Sequence, residues 1–317
     1  MSQPLNLVFC GTPRFAVPSL EKIVEAGFPV RLVVTQPDKP RGRGLELTAS
    51  PVKQRAIELG LQVSQPEKIK NNDEFRNQLA ELRPGAIIVV GYGRIIPQWM
   101  IDLPPLGNIN LHASLLPKYR GAAPIQWAIA SGETITGNTT MRIDAGLDTG
   151  DILLQQQIAI EPDDTAGTLA PRLAAAGADL LVETLKGLQA GTVHPRKQDD
   201  AKSSLAPILK KEDGRIDFHR SAKEICDRLR GFQPWPGAFT SFRGKNLNIW
   251  AARAIGGLTP MRTHAEGEVL IEGASLIVRC GQGTALELME VQPEGKKRMS
   301  ARDFIHGYHP EGEKLGL

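Results

Sequence analysis

Apolar residues along the first 113 positions follow two alternating periods. "LNLVFC" (5–10) is a continuous apolar run that stops at Gly11, and "RFAVPSLEKIVEAG" (14–27) places its apolar residues at helical spacing up to Gly27. The buried-strand pattern returns in "VRLVVTQ" (30–36), "AIIVVGYG" (86–93) and "GNINLHA" (107–113). Helical patterns, "VKQRAIELG" (52–60) and "EFRNQLAEL" (74–82), lie between them. Continuous, largely apolar strands separated by helices predict a largely parallel sheet covered on both faces. A sheet of this kind takes its ligands at the carboxyl ends of its strands.

After residue 113 the pattern changes. "GNTTMRID" (137–144) and "DILLQQQIAI" (151–160) read as a strand pair, followed by a long helix over 166–188. Residues 189–217 are rich in Lys, Asp, Gly and Pro and read as a linker. A short helix, "SAKEICDRLRGF", comes next. The tail carries short strand-like runs, "AFTSFR", "LNIWAAR", "GEVLIEG", "SLIVRC" and "ALELMEVQP", whose frequent turns predict a small β-barrel. The expected class is therefore α/β: a Rossmann-like, mostly parallel sheet domain over 1–189, a linker over 190–217, and a β-barrel domain over 218–317. A length of 317 residues suits two domains.

Composition narrows the setting. Three cysteines, Cys10, Cys226 and Cys280, stand far apart with no CxxC pair, which favours a reducing cytoplasm over a disulfide framework or a structural zinc site. The start has no basic region followed by a signal-length apolar run, and no stretch reaches the roughly 18 apolar residues of a membrane helix. The net charge of +3 is unevenly placed: residues 1–200 hold 20 Lys+Arg against 21 Asp+Glu, and residues 201–317 hold 18 against 14. The basic second part hints at a polyanionic partner, and an ordinary solvated surface explains it equally well.

Candidate chemistry concentrates in "NINLHASLLPKYRGAAP" (108–124). On a strand, residues two apart face one side, so Asn110 and His112 project together. An amide and an imidazole so placed suit holding an oxyanion and moving a proton; a histidine satisfied within the core is the plainer alternative. "DAGLDTGDI" (144–152) spaces Asp144, Asp148 and Asp151 through glycines, as a ligand-facing loop or a simple turn, without the ladder of an EF-hand. "GTPRFAV" (11–17) lacks G-x-G-x-x-G spacing and Pro13 removes a donor, so no dinucleotide is expected. "DKPRGRG" (38–44) is a cationic glycine loop suited to phosphates or simply to solvent. No Cys or Ser stands in a nucleophile–base pattern.

These motifs resemble the folate-dependent formyltransferases. "NLHASLLPKYRGAAPIQWAI" (110–129) with "GLDTGDI" (146–152) is similar to that family's signature. "GTPRFAVPSL", "TQPDKPRGRGLELTASPVK", "GYGRIIP" and "FQPWPGAF" resemble the members that act on methionyl-tRNA. The resemblance implies a catalytic trio of Asn110, His112 and Asp148, and a tetrahydrofolate-binding turn at Ser114, Leu115, Leu116 and Pro117. It implies a pterin-pocket wall at Tyr92, Gly93, Arg94, Ile95, Ile96 and Pro97. Contacts to tRNA are expected from Lys39, Arg41 and Arg43, and from Lys210 and Lys211 beside an OB-like C-terminal barrel. The implied reaction moves a formyl group from 10-formyltetrahydrofolate to the amino group of initiator methionyl-tRNA, in the cytoplasm, without metal and as a monomer. A small amino-sugar nucleotide is the alternative acceptor.

Overall fold

The computed structural model describes residues 5–41, 46–255 and 265–316, with the backbone alone at Arg41 and Glu46. In chain order the strands of the first part are β1 (Leu7–Gly11), β2 (Val30–Val34), β3 (Lys39–Arg41), β4 (Glu46–Thr48), β5 (Val63–Ser64), β6 (Ala86–Val90), β7 (Asn108–His112), β8 (Ile135–Arg142) and β9 (Ile152–Ala159). Helices α1 (Val17–Glu25), α2 (Pro51–Glu58), α3 (Asp73–Leu82), α4 (Gln98–Ile101), α5 (Pro124–Ala130) and α6 (Ala166–Ala190) alternate with them. The second part holds α7 (Ala222–Gly231), β10 (Ala238–Phe242), β11 (Lys245–Ile255), β12 (Val269–Glu272), β13 (Ser275–Arg279), β14 (Ala285–Pro293), β15 (Met299–Ser300) and α8 (Ala301–Tyr308). No described helix is long and apolar enough to cross a membrane.

The chain divides into two compact units. One comprises residues 1–124, 135–159 and 170–206; the other comprises 125–134, 160–169 and 207–317. Backbone bonds tie residues 204–206, within the stretch read as a linker, to Pro117, Arg120 and Ala123 of the first unit.

The sheet of the first unit runs β5-β2-β1-β6-β7-β8-β9. Its first five strands are parallel, and β8 and β9 are antiparallel additions. The chain lays β2 and β5 on one side of β1 and then returns to place β6 on the other. Sheets with such a reversal hold ligands beyond the carboxyl ends of the strands that flank it, here β1 and β6. β1 and β6 are buried at every residue, as expected for strands covered on both faces. Alternate residues separate to two cores: Leu7, Phe9, Ile88, Val90, Ile109 and Leu111 meet α1 and α6, and Val8, Cys10, Ile87 and Val89 meet α3 and Met100.

That alternation determines where the polar residues of β7 go. Ile109 and Leu111 fill the α1/α6 core, so Asn108, Asn110 and His112 face the other side. Asn108 donates to the carbonyls of Met100 (2.8 Å) and Ile101 (3.1 Å), which satisfies the last turn of α4. Asn110 and His112 lie farther along, at the open end. Helix caps agree with their sequence: Ser50 accepts the Lys53 amide at α2, and Asn72 accepts the Phe75 amide at α3.

In the second unit the sheet runs β10-β11-β14-β13-β12, with β15 against β14. Residues 312–316 join its two edges. Gly312, Glu313 and Leu315 bond to Val269 and Gly267 on the β12 side, and the Gly316 amide donates to the Ser241 carbonyl of β10 at 3.0 Å. Phe218, Phe242, Leu247, Leu276, Leu286 and Phe304 fill the interior.

Several elements differ from the sequence pattern. The helix expected over 14–27 begins as a 3-10 turn, Arg14–Ala16, before α1. The β3–β4 hairpin and α5 are too short to show a period. α8 lies in a tail read as strands; it is capped by Ser300 and turned inward by Phe304 and Tyr308, which stack at 4.7 Å.

Gly177 of α6 lets the helix lie against β7: a Cβ there would stand 2.8 Å from Leu111 Cδ2. Gly177→Val should cost about 1–3 kcal/mol through overpacking. Urea unfolding measures the loss.

Candidate active site

β7 ends on His112, whose ring is 6% exposed. The ring nitrogens have different partners. Nε2 lies 2.9 Å from the carbonyl oxygen of Tyr119. A carbonyl only accepts, so Nε2 carries a proton and donates it. Nδ1 faces Asp148 Oδ2 at 3.6 Å, beyond hydrogen-bond length. A proton on Nδ1 is therefore uncommitted, with a carboxylate beside it. The half-buried Asn110 side chain has no hydrogen bond among the described residues, so its amide is also open to a ligand.

Two residues around the ring adopt left-handed backbone, Tyr119 at φ 62° and Asp148 at φ 52°. Non-glycine residues in this region carry strain of order 1–3 kcal/mol and persist where surroundings hold them. The holding contacts are explicit. The Tyr119 amide donates to Ser204 Oγ at 2.9 Å. The Gly121 amide donates to Asp148 Oδ2 at 2.8 Å, aiming the carboxylate. Gly121 itself has φ 123°, and a Cβ there would meet the Ala206 carbonyl oxygen at 2.6 Å. Gln198 Nε2 donates to the backbone carbonyls of Asp148 (2.8 Å) and Gly150 (2.7 Å).

Of the three aspartates in the glycine loop, only Asp148 reaches the histidine. Asp144 turns back to accept the Gly146 amide (3.0 Å) and the Thr149 hydroxyl (2.8 Å), and Asp151 joins the strand pairing by accepting the Arg142 amide.

The turn after β7 is braced from beneath. Ser114 is fully buried, its hydroxyl donating to the Lys118 carbonyl at 2.7 Å. Thr139 Oγ1 donates to the Ser114 carbonyl and accepts the Leu116 amide, while Gln155 donates to the Leu116 carbonyl. Leu116 is buried with Met141 and Ile152. Leu115 and Pro117 are the partly exposed members of this turn.

Loop Tyr92–Pro97 leaves the end of the neighbouring strand, β6. Tyr92 is buried in the α3 core, and burial holds its phenol well above the usual range. Its carbonyl accepts from Gln36 at 2.8 Å and Thr12 at 3.2 Å. Ile96 is buried, and the Arg94 guanidinium donates to the Glu67 carbonyl. Gly93 is exposed and Ile95 is 92% exposed, so these two and the backbone face outward.

The expected cationic contacts fall in separate places. Lys39 donates to Gln36 Oε1 at 2.9 Å. Arg41 is described by its backbone in β3, and Arg43 lies outside the described residues. Lys53, paired with Asp38 at 2.6 Å at the root of this hairpin, holds that carboxyl below its usual range, helped by Gln65. Lys210 and Lys211 are exposed in the second unit.

No group of three or more His, Cys, Asp or Glu among the described residues is arranged to hold a metal ion. Burial pushes the Cys280 thiol up to about 12 and the Cys226 thiol up to about 11, so neither offers a thiolate near neutrality. Side chains to which the motif reading gives no role are Gln36, Gln155, Gln198 and Ser204. Each acts across long sequence separation on a backbone group, which leaves no local pattern to read.

The chain is similar to known proteins along nearly its whole length. Residues 5–185 match the model of the formyl transferase family, and residues 208–309 match its C-terminal domain. The methionyl-tRNA formyltransferase of Koribacter versatilis is 68% identical over 98% of both chains, and that of Acidobacterium capsulatum 61% identical over 96% of both. Among solved structures, an N-formyltransferase from Helicobacter canadensis, in complex with folinic acid and dTDP-3-aminofucose, shares the fold. Its TM-score is 0.65 at 20% identity, over 90% of this chain and 98% of that one. With the same fold, both domain matches and relatives this similar along nearly the whole chain, the protein belongs to the methionyl-tRNA formyltransferase family.

Proposed function

We propose that this chain transfers the formyl group of 10-formyltetrahydrofolate to the α-amino group of methionyl-tRNA, with Asn110, His112 and Asp148 as the catalytic residues. The observation that carries this reading is the meeting of His112 and Asp148, 3.6 Å apart, at the end of the strand that bears Asn110. The edge formed by Gly93–Pro97 and Leu115–Pro117 takes the pterin; the exposed Ile95 side chain offers apolar surface for a flat ring to cover. When bound, the folate supplies an activated formyl carbon.

The residues of this chain then act at two points. As the neutral amine attacks, negative charge develops on the formyl oxygen. The Asn110 amide N–H and the His112 Nδ1–H meet that charge, in a site where fixed donors need no reorganisation. Nε2 takes no part, because the Tyr119 carbonyl occupies it; the ring exchanges protons at Nδ1 alone. Asp148 stabilises the charged ring and takes up the proton that the amine sheds. The new carbon–nitrogen bond replaces the bond to N10, and N10 regains a proton.

Division of labour follows the two units. The first unit, with Lys39, Arg41 and Arg43 in its sequence, handles folate and the aminoacyl end. The second unit, with Lys210 and Lys211, grips tRNA phosphates; the excess of 18 Lys+Arg over 14 Asp+Glu in residues 201–317 supports this assignment. The protein acts in the cytoplasm.

Removing one donor, as Asn110→Ala or His112→Ala, should lower kcat by about 10²–10³-fold while the fold is kept. Near-normal turnover in both variants removes these roles. Labelled 10-formyltetrahydrofolate offered with methionyl-tRNA, an amino-sugar nucleotide and glycinamide ribonucleotide should label the tRNA; label on the sugar amine establishes the other acceptor. Affinity for tRNA should fall steeply as salt rises from about 50 to 200 mM, by filter binding, and a flat response removes the phosphate account.

A further inference from the structure

We propose that Gln198, in the stretch whose composition reads as a linker, is a positioning residue for the formyl transfer: it holds the Asp148 carboxylate at its working distance from His112. The proposal rests on the reading of Asp148 above. Its own ground is the way one amide is used. Both carbonyls of the αL turn, those of Asp148 and Gly150, accept from Gln198 Nε2, at 2.8 and 2.7 Å. Gln198 Oε1 in turn accepts from Arg120, at 3.1 Å from Nε and 2.8 Å from Nη2. Every strong hydrogen-bonding position of the amide NH₂ and a bidentate acceptor position are thus engaged.

The two loops so joined are those that define the histidine's surroundings. Arg120 sits between Tyr119, whose carbonyl accepts from Nε2, and Gly121, whose amide holds Asp148 Oδ2. The Arg120 side chain is only 8% exposed and also pairs with Asp200 at 2.7 Å. Gln198 therefore ties the loop behind one ring nitrogen to the loop behind the other. The Asp148 conformation needs this support, because its φ of 52° is one that a side-chain-bearing residue seldom keeps unaided. A shift of the αL turn moves the carboxylate relative to Nδ1, where a displacement near 1 Å costs about 10²-fold in rate.

The test uses the full chain with 10-formyltetrahydrofolate and methionyl-tRNA, the enzyme raised for slow variants but kept below both substrates so that residual steady-state rates register. Q198A and Q198E are made alone and in a D148A background, and thermal midpoints are measured for all. Q198E keeps an acceptor for Arg120 but turns oxygens toward the two carbonyls, so it retains the brace on Arg120 and loses the hold on Asp148. Both single variants should lose about 10–100-fold in the transfer rate, with apparent KM for either substrate changed less than about threefold. In the D148A background the same changes should alter the rate less than about threefold, because residues that act as a unit are not additive. Wild-type turnover in Q198E overturns the proposal. So does an equal loss in both backgrounds, which marks a general structural role, or a loss confined to KM. A D148A variant as fast as the wild type overturns the catalytic reading of Asp148 together with this one, whereas a slow D148A beside a fast Q198A and Q198E overturns this one alone.

Discussion

The hydrogen bond from the His112 Nε2–H to the Tyr119 carbonyl is the interaction on which the site depends. It makes the two ring nitrogens unequal. One is committed to the Tyr119 carbonyl, an acceptor that never titrates; the other faces the Asp148 carboxylate beyond hydrogen-bond length. It also fixes the ring plane, and so decides which carboxylate of the glycine loop can stand beside it. A buried imidazole needs a partner for its N–H in any case, so structural satisfaction and chemical selection are served by one contact.

The frame behind that contact is a strand with two different faces. Ile109 and Leu111 anchor β7 in the apolar core under α6, and the close approach of Gly177 to Leu111 keeps that helix in register with it. The opposite face of the same strand carries only polar side chains, one of which closes α4 while the outer two remain for a ligand. The packing that orders the core therefore also sets the direction of Asn110 and His112. Slipping β7 by one residue would bury Asn110 and His112 beneath α6 and turn leucine to the opposite face.

Much of this was legible in the chain. Runs such as "AIIVV" are apolar at every position, and that is the mark of strands inside a doubly covered sheet. The spacing of Asn110 and His112 needed only the period of a strand. The choice of Asp148 among three aspartates was another matter: spacing treats them alike, and resemblance to a family separated them before the backbone angle and the Gly121 amide gave a physical reason. Gln198 was illegible. It lies among Lys, Asp and Pro residues that look like a solvated connection, and its partners are two carbonyls and a guanidinium far away in sequence. Similarly, α5 and the β3–β4 hairpin are too short for periodicity, while α8 follows a series of strands and is distinguished only by its serine cap and aromatic pair.

The strip 312–316 that joins β12 to β10 has a consequence for how the second unit forms. Its bonds reach back to Ser241 across most of the unit, so the seam is among the most distant pairings the sheet makes. Until it closes, the outer rims of two strands stand bare and can template onto another molecule. Damage confined to this short strip would thus leave both rims uncovered and make the unit prone to self-association.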